Sequence, residues 1–191
     1  DILNYFLQNG LFRQNQFGFI PSRSLVLQML RFFDVLTEAM DSGKGVDVVY
    51  TDLEKAFDKL FHNRLLFKLQ KYGVNIKIVK WVKNYLVDRT FRVRMGERLS
   101  EPLPVTSGVP QGSVQGPLLF LLYVNDLHDV CQNTLLLADD TKIYRVIKDD
   151  CDIIELQKDI DKVSRWFDDW KMRVNINKWS VLNVGGNQYH F

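Results

Sequence analysis

Two apolar runs in this chain each end on an aspartate. Leu135 to Ala138 is followed directly by Asp139 and Asp140, and the β-branched, aromatic run that starts at Val46 ends on Asp52. Continuous apolar sequence of this length fits a strand that is covered on both faces of a sheet. A carboxylate at the end of such a strand lies at the edge of the sheet, beside a dry core. The sequence therefore predicts a sheet that gathers three carboxylates at one edge.

Clustered carboxylates indicate a divalent metal ion. Like charges that face each other in a partly dry site are costly unless a cation neutralises them. Mg²⁺ prefers hard oxygen ligands and shares them with substrate phosphates, and nucleotidyl transfer uses two such ions about 4 Å apart. Asp52 and Asp139 are the best candidate ligands. Taken alone, however, Asp139 with Asp140 is also typical of a solvated acidic turn.

The segment SGVPQGS, residues 107–113, lies between the two acidic segments and leads into an apolar run. Its glycines allow a backbone to approach a ligand closely, and the amide of Gln111 can both donate and accept a hydrogen bond. A nucleotide could lie against such a loop. The alternative is a plain turn in which Ser113 caps the following helix, and the residues satisfy both interpretations.

The stretch from Arg64 to Arg98 is strongly basic. It holds ten lysines and arginines against two acids, a local charge of +8, although the whole chain carries only +2. Aromatic residues are interleaved with these cations, among them Tyr72, Trp81, Tyr85 and Phe91. Such a mixture can follow a phosphate backbone and stack bases. For any one of these residues, a solvated helix face is an equally good interpretation.

The remaining patterns predict an α+β domain. Helices are predicted over residues 25–43 with a cap at Ser22 or Ser24, in two parts of 65–86 separated near Gly73 and Asn75, over 113–130, and over 153–170. Strands are predicted over residues 46–52, 134–138, 142–147 and 181–184, with a basic hairpin over 91–105. The apolar stripe of residues 153–170 is expected to pack in the core. Together these elements predict a small antiparallel sheet backed by helices.

Length and composition are those of a globular protein. With 191 residues, of which 46% are hydrophobic, the chain can form one domain or one domain with a small lobe. No apolar stretch approaches the roughly 20 residues that a bilayer crossing needs, so we expect no membrane partner. Cys131 and Cys151 form no CxxC pair, which favours a reducing compartment inside the cell. The start at Asp1, without a methionine, suggests that the chain belongs to a longer protein.

Several long motifs occur in one order along nearly the whole chain. They are NQFGFIPSRS, VDVVYTDLEKAFDKLFHNRLLFKL, SGVPQGSVQGPLLFLLYVNDL, LADDTKIY and LQKDIDKVSRWFDDWKMRVNINK, followed by the closing strand. In this order they resemble the reverse transcriptases of LINE-type, non-LTR retrotransposons, especially the jockey-like elements. The resemblance implies a polymerase palm over residues 46–191 and partial fingers with entry helices over residues 1–45. It also implies that the thumb is absent.

The resemblance implies an RNA-directed DNA polymerase core that uses two Mg²⁺ ions, for which Mn²⁺ can substitute. Asp52 and Asp139 would be the principal metal ligands, Asp140 would assist, and Leu53 would lend its backbone carbonyl. Lys178 would protonate the leaving pyrophosphate, although a lone lysine is more often solvated. The implied partners are an RNA template, a DNA primer and deoxynucleoside triphosphates. The implied location is a retrotransposon ribonucleoprotein in the nucleus or cytoplasm.

Four further residues are implied to bind the nucleotide. Phe57, five positions after Asp52, would be the steric gate that excludes a 2′-hydroxyl; its alternative role is that of a core aromatic. Gln111 and the backbone of Gly112 would line the nucleotide pocket. Arg23 would contact the triphosphate.

The chain departs from the family pattern at four positions. Leu137 stands where an aromatic is usual, Gln115 where leucine is common, Trp179 where a smaller residue is usual, and Ile20 where many members have arginine. These departures keep an alternative open, namely a catalytically silent, decayed or domesticated remnant that binds nucleic acid through the basic stretch and uses no metal. A group II intron maturase is a lesser alternative within the enzymes.

Overall fold

The computed structural model describes residues 2–185. These residues form seven α-helices and eight strands. The helices are α1 Ile2–Gln8, α2 Leu25–Asp41, α3 His62–Lys71, α4 Ile76–Leu86, α5 Gln115–Val124, α6 Leu127–Val130 and α7 Asp150–Asp169. The strands are β1 Gly45–Thr51, β2 Thr90–Phe91, β3 Arg94–Met95, β4 Arg98–Leu99, β5 Leu103–Pro104, β6 Thr134–Leu137, β7 Asp140–Ile147 and β8 Ser180–Val184. A short 3₁₀ helix, Ile176–Lys178, precedes β8.

Four strands form an antiparallel sheet in the order β6-β7-β1-β8. The central strand β1 is covered on both faces. Val46 and Val48 pack on one face against a cluster that includes Phe32 of α2, whereas Val49 on the other face joins the main core with Phe120 of α5. This double coverage explains why β1 carries valines on both faces. Its one charged residue, Asp47, is also buried, and its carboxylate accepts a hydrogen bond from the Asn183 side chain at 2.7 Å. The predicted α+β fold, a small antiparallel sheet backed by helices, is confirmed.

Most of the predicted helices have the expected positions and ends. Ser24 caps α2, since its hydroxyl oxygen accepts a hydrogen bond from the Leu27 amide at 3.2 Å. The predicted break between α3 and α4 lies at residues 72–75. The apolar stripe of α7 is core, as expected, with Val163 and Phe167 almost fully buried.

The predicted single helix over residues 113–130 is wrong, because the helix is interrupted at two polar residues. The buried amide of Asn125 donates to the Leu11 carbonyl at 2.9 Å and accepts from the Arg13 amide at 3.1 Å, which ties α5 to the segment that follows α1. Asp126 turns to pair with Lys68 of α3. α5 ends at Val124 and α6 begins at Leu127. Asn125 keeps helical backbone angles, and the departure from them comes at Asp126, which has a φ of −87° and a ψ of 0°.

Two predicted boundaries also differ. The hairpin over residues 91–105 forms two short ladders, β2 with β5 and β3 with β4, instead of one. Between them the hydroxyl of Ser100 accepts from the Val93 amide at 2.9 Å, so a side chain interrupts the regular backbone pairing. Asp140, expected in the turn, is the first residue of β7 and pairs with Leu137 of β6.

Lys68 is a buried cation at the junction of α3, α5 and α7. Its ammonium donates to the Tyr123 carbonyl and to the Asp126 carboxylate, and it lies 3.6 Å from the ring centroid of Trp170 and 4.6 Å from that of Trp166. Burial lowers the pKa of Lys68 to about 8, although the charge and hydrogen bond of Asp126 act in the opposite direction. Lys68 therefore belongs to the core and not to the basic surface that the sequence suggested.

We expect Lys68 to make the protein more stable as the pH rises. A lysine with a folded-state pKa of about 8 and an unfolded value of 10.5 binds its proton less tightly in the fold, so its destabilising effect is full below pH 8 and disappears as the pH rises through 10.5. Between about pH 7 and about pH 10, this should add about 2 kcal/mol to the free energy of unfolding. Urea unfolding of the wild type and Lys68→Met at both pH values measures it. An unchanged stability difference between the two proteins would contradict the prediction.

Candidate metal and nucleotide site

Two strand ends bring Asp52, Asp139 and Asp140 to the same edge of the sheet. The β6–β7 hairpin turns through Ala138 and Asp139, and Asp140 begins β7. In the neighbouring ladder, Thr51 of β1 is paired with Thr141 of β7. Asp52, which follows Thr51, therefore lies opposite Asp140 and beside the turn. The register of β1 on β7 thus assembles the three carboxylates that the sequence predicted would meet.

The electrostatics of Asp139 reflect this cluster. Burial raises the pKa of Asp139 above its ordinary value, and the negative charges of Asp140 and Asp52 raise it further, whereas the Lys178 ammonium acts to lower it. Lys178 also forms an ion pair with Asp52, at 3.2 Å between Nζ and Oδ2, although its own side chain is largely exposed. The four residues predicted to be catalytic therefore share one electrostatic environment.

The segment that carries Lys178 is attached to the strand end by backbone hydrogen bonds. Asn175 donates to the Asp52 carbonyl at 2.9 Å, and the Glu54 amide donates to the Arg173 carbonyl at 2.7 Å. These bonds form a bridge between Leu53 and Val174. They use the backbones of Asp52 and Glu54 and not the carbonyl oxygen of Leu53, whose side chain is buried.

The carboxylates fit a divalent ion that takes part of its coordination shell from a substrate. Within residues 2–185, no group of three or more histidine, cysteine, aspartate or glutamate side chains is arranged to hold a metal by itself. The Asp52 carboxylate is paired with Lys178 instead. Mg²⁺ sites that handle phosphates commonly use one or two protein carboxylates, together with phosphate oxygens and water. The raised pKa of Asp139 supports this fit, because a cation would offset both the cost of burying the ionised carboxylate, which is the main cause, and the repulsion from Asp140 and Asp52.

The SGVPQGS loop is fastened to the segment that follows Asp52. The Gly108 amide donates to the Leu60 carbonyl at 2.7 Å, and the Val109 amide donates to the Phe57 carbonyl at 2.8 Å. Gly108 has a φ of +81°, and a Cβ atom there would lie 2.6 Å from the carbonyl oxygen of Asp58. The buried ring of His62 contacts the Gly108 carbonyl at 2.7 Å. Only glycine fits this close crossing of two chain segments.

Gln111 contacts Asp58, a residue that the sequence analysis did not single out. The Gln111 amide donates to the Asp58 carboxylate at 2.8 Å, while Gln111 remains exposed. Both residues line a cavity of about 500 Å³, which also includes Arg89 and Phe91. The three clustered aspartates are not part of that cavity lining. The only signal for Asp58 in the sequence was its place six residues after Asp52.

Phe57 and Ser113 each satisfy the structural alternative considered for them. The half-buried ring of Phe57 stacks on Phe120 of α5, with ring centroids 4.5 Å apart. The Ser113 hydroxyl accepts from the Gly116 amide at 3.0 Å, which is a capping contact at the start of α5. These contacts fix the two residues beside the loop and are compatible with a ligand-binding role as well. Gly112, with a φ of +78°, has open space where a side chain would be.

Arg23 contacts the segment before α2 and not the carboxylates. Its guanidinium donates to the Arg13 carbonyl and, at 2.7 Å, to the Gln16 carbonyl. Burial lowers the pKa of Arg23 below its ordinary value. The predicted triphosphate contact of Arg23 stays a prediction.

The basic stretch forms an exposed surface without Lys68. Eight of its other nine cations lie on α3, α4 and the hairpin, and Arg89 lies in the connection between α4 and β2; all nine are exposed or half-buried. On α4, half-exposed Trp81 stacks on Tyr85 with ring centroids 5.5 Å apart and planes 6° from parallel. In the part of the chain that the structure describes, no helix is both long enough and apolar enough to cross a membrane.

Comparison with known proteins gives a family match over almost the entire chain. The model of the family described as reverse transcriptase (RNA-dependent DNA polymerase) matches residues 1–189. The chain is 32% identical over 182 residues to the probable RNA-directed DNA polymerase from transposon BS of Drosophila melanogaster, covering 86% of this chain and 19% of that protein. It is 30% identical over 174 residues to the RNA-directed DNA polymerase from mobile element jockey of the same species, covering 85% of this chain and 19% of that protein.

Solved structures of telomerase share the fold. Apo telomerase from Candida tropicalis, truncated from its C-terminal domain, superposes with a TM-score of 0.72 at 15% identity, covering 98% of this chain and 39% of that one. Telomerase from the same species in complex with a fragment of telomeric RNA superposes with a TM-score of 0.69 at 17% identity, covering all of this chain and 34% of that one. At such identities the likeness concerns the fold alone. The chain spans about a fifth of the length of the curated relatives it matches.

Proposed function

The chain belongs to the reverse transcriptase (RNA-dependent DNA polymerase) family, and on that premise we propose that it forms the polymerase core of a jockey-like retrotransposon protein. The predicted resemblance to jockey-like, LINE-type enzymes is confirmed by the relatives it matches. The reaction would be RNA-templated addition of a deoxynucleotide to a DNA primer. The single observation that carries the proposal is the meeting of Asp52, Asp139, Asp140 and Lys178 at one edge of the sheet.

In the proposed reaction the primer 3′-hydroxyl loses its proton and attacks the α-phosphate of the deoxynucleotide. A bond forms between that oxygen and the α-phosphorus, and the bond to the pyrophosphate breaks in line. Two Mg²⁺ ions, or Mn²⁺ in their place, would activate the hydroxyl and neutralise the developing negative charge. Asp52 and Asp139 would hold the ions, Asp140 would assist, and the carbonyl of Leu53 would add a ligand.

We propose that Lys178 donates a proton to the leaving pyrophosphate. Its ammonium lies at the cluster through its ion pair with Asp52, and its exposed side chain has room to turn towards a bound triphosphate. A cation at this point would also offset the charge of the phosphates. The same pair would prevent Asp52 from facing Asp139 as a second bare negative charge before substrate binds.

We propose that the SGVPQGS loop and Phe57 form the nucleotide pocket. The loop is fastened by Gly108 and Val109 to the segment that carries Phe57, so Gln111, the Gly112 backbone and the Phe57 ring are held near one another. Phe57, five residues after Asp52, would lie under the sugar and exclude a 2′-hydroxyl. Stacking on Phe120 would keep the ring rigid enough for that purpose. Arg23 is proposed to contact the triphosphate.

The substitution Phe57→Val is expected to allow the incorporation of ribonucleotides. The smaller side chain would leave room for the 2′-hydroxyl, and removal of a steric barrier of this size should reduce discrimination against ribonucleotides by about 10- to 100-fold. The measurement is the ratio of kcat/KM for deoxy- and ribonucleotides, which does not depend on the folded fraction. Phe67→Val, on the exposed face of α3, is the control. A ratio that Phe57→Val leaves unchanged would mean that Phe57 is only a core aromatic.

Primer extension tests the proposed function as a whole. The chain, and the longer parent protein that contains it, would be given a DNA primer on an RNA template with Mg²⁺ and either deoxy- or ribonucleotides. We expect extension on RNA with deoxynucleotides. If the parent protein extends no primer on any template, the polymerase proposal is wrong and the silent, nucleic-acid-binding alternative replaces it.

The same proposal includes the domain assignment and the partners. Residues 46–191 are proposed to be the palm, of which residues 186–191 lie outside the described part, and residues 1–45 to be partial fingers. The basic surface on α3, α4 and the hairpin is proposed to bind the template–primer duplex, for which its charge and the Trp81–Tyr85 stack are suited. The assembly would act in a retrotransposon ribonucleoprotein in the nucleus or cytoplasm.

A further inference from the structure

The segment Asn15–Phe17 extends the sheet beyond β6, next to the Asp139 turn. The Phe17 amide donates to the Leu136 carbonyl at 2.8 Å, and the Leu136 amide donates to the Asn15 carbonyl at 2.8 Å. These bonds form a parallel bridge between Gln16 and Leu136. The segment therefore covers the outer edge of β6, two residues before the turn that carries Asp139.

The side chain of Gln16 continues this pairing around the turn. Its Oε1 atom accepts from the Ala138 amide at 3.0 Å and from the Gly18 amide at 2.8 Å, and its Nε2 donates to the Ala138 carbonyl at 3.3 Å. Gln16 is only 3% exposed. One side-chain amide thus satisfies both backbone hydrogen-bonding groups of Ala138, the residue directly before Asp139.

Ala138 needs such support because its backbone is strained. Its φ of +57° lies in the left-handed region, which costs a residue with a Cβ about 1 to 2 kcal/mol. Strained backbone of this kind persists only where its surroundings determine it. A turn without the amide of Gln16 would lose two hydrogen bonds in a buried place and could relax to another conformation, which would move Asp139.

Two neighbours hold Gln16 itself in position. The guanidinium of Arg23 donates to the Gln16 carbonyl at 2.7 Å. Gly18 lies so close to the turn that a Cβ atom on it would be 2.5 Å from the Ala138 nitrogen. Two residues of the motif NQFGF therefore support this turn. Gln16 binds it through its side chain while Arg23 holds the Gln16 carbonyl, and Gly18 allows the two backbones to approach closely.

We propose that Gln16 is a positioning residue, which holds the Ala138–Asp139 turn in the conformation that places Asp139 for metal binding. The statement that Asp139 binds metal rests on the proposed function. The statement that Gln16 holds the turn rests only on the hydrogen bonds described above. The matched pair of variants is Gln16→Met, which keeps the length of the side chain without its amide, and Gln28→Met. Gln28 of α2 is equally buried, but its side-chain oxygen accepts a hydrogen bond from Lys142 of β7 at 3.0 Å and not from the turn.

Amide hydrogen exchange, followed by NMR, tests the fastening. In Gln16→Met the Ala138 amide is expected to exchange about tenfold faster, in line with the loss of one hydrogen bond, while amides in α7 keep their wild-type rates. Wild-type exchange at Ala138 in Gln16→Met would overturn the proposal.

Mn²⁺ affinity tests the consequence for Asp139. Gln16→Met is expected to bind Mn²⁺ about 10- to 100-fold more weakly, as for loss of a partner that orients a metal ligand, and Gln28→Met should bind as the wild type does. Faster exchange with unchanged Mn²⁺ affinity would overturn the positioning role. If the wild type itself binds no Mn²⁺, the proposed function fails, and the exchange of the Ala138 amide alone decides whether Gln16 holds the turn.

Discussion

Asp139→Asn is expected to abolish primer extension by the parent polymerase. The change removes one negative charge from the cluster at the sheet edge and weakens a residue that we propose as a principal metal ligand, while keeping nearly the same shape. Metal ions supply several kcal/mol of transition-state stabilisation, and the loss of about 4 kcal/mol lowers the rate about 1000-fold. Single-turnover extension with Mg²⁺ on an RNA template measures the chemical step directly.

The stability of the same variant should move in the opposite direction. Because burial and the charges of Asp140 and Asp52 raise the pKa of Asp139, ionised Asp139 destabilises the fold at neutral pH, and an uncharged amide removes that cost. Asp34→Asn, on the exposed face of α2, makes the same chemical change away from the cluster and should extend primers normally. Equal extension rates for Asp139→Asn and the wild type would exclude Asp139 as a metal ligand.

Gly108→Ala is expected to destabilise the protein and to displace the SGVPQGS loop, which carries Gln111, from the Asp58 segment. The new methyl group would lie 2.6 to 2.8 Å from the Asp58 backbone, and alanine would also have to adopt a φ of +81°. Because these atoms belong to the backbone of Asp58, they cannot move aside cheaply, and we expect a loss of about 3 kcal/mol in the free energy of unfolding. Chemical denaturation of the purified chain measures this loss.

Gly112→Ala is the matched control for stability, because it has the same backbone requirement without the clash. Its φ is +78°, but nothing lies within 4 Å of the position of a Cβ atom. We expect only the cost of the left-handed conformation, about 1 kcal/mol. If the two variants lose the same stability, the close crossing at Gly108 does not hold the loop to the Asp58 segment.

The central part of the sheet was predictable from the sequence, because its strands consist mostly of buried apolar residues and are followed directly by aspartates. β1 is rich in β-branched residues and β6 in leucines, and the two strands end beside Asp52 and near Asp139, which indicated both the strands and the edge where the carboxylates lie. Helix α2 was predictable from its serine cap and its apolar positions, and α7 from its apolar stripe. Periodicity and capping patterns depend on residues only a few positions apart, so they can be recognised in the sequence alone.

The contacts that the sequence did not predict join segments far apart in the chain. Lys68 looks like any other cation of the basic stretch, and only the fold shows that Asp126, Trp166 and Trp170 enclose it. Asn125 follows the apolar run of α5 directly, and its contacts with Leu11 and Arg13 join it to a segment more than a hundred residues earlier in the chain. A hydrogen bond between residues far apart in the sequence produces no periodic pattern, so it cannot be predicted from periodicity.

The same limitation applies to the candidate site. The resemblance named Gln111 and Arg23, but not their partners, which are Asp58 for Gln111 and the carbonyls of Arg13 and Gln16 for Arg23. Gln16 belonged to a recognised motif, yet its contact with Ala138 spans 122 positions of the chain. Residues that touch the substrate can thus be inferred from motifs, whereas residues that hold them in place require the structure.

The most direct test of the central claim is a Mn²⁺ titration followed by electron paramagnetic resonance, with and without a deoxynucleoside triphosphate. The claim is that Asp52 and Asp139 together hold divalent ions whose coordination a nucleotide completes. We expect the nucleotide to tighten Mn²⁺ binding in the wild type and in Asp34→Asn, and we expect Asp52→Asn and Asp139→Asn each to lose that binding. Mn²⁺ binding that both variants retain at wild-type affinity would contradict the assignment of the metal site.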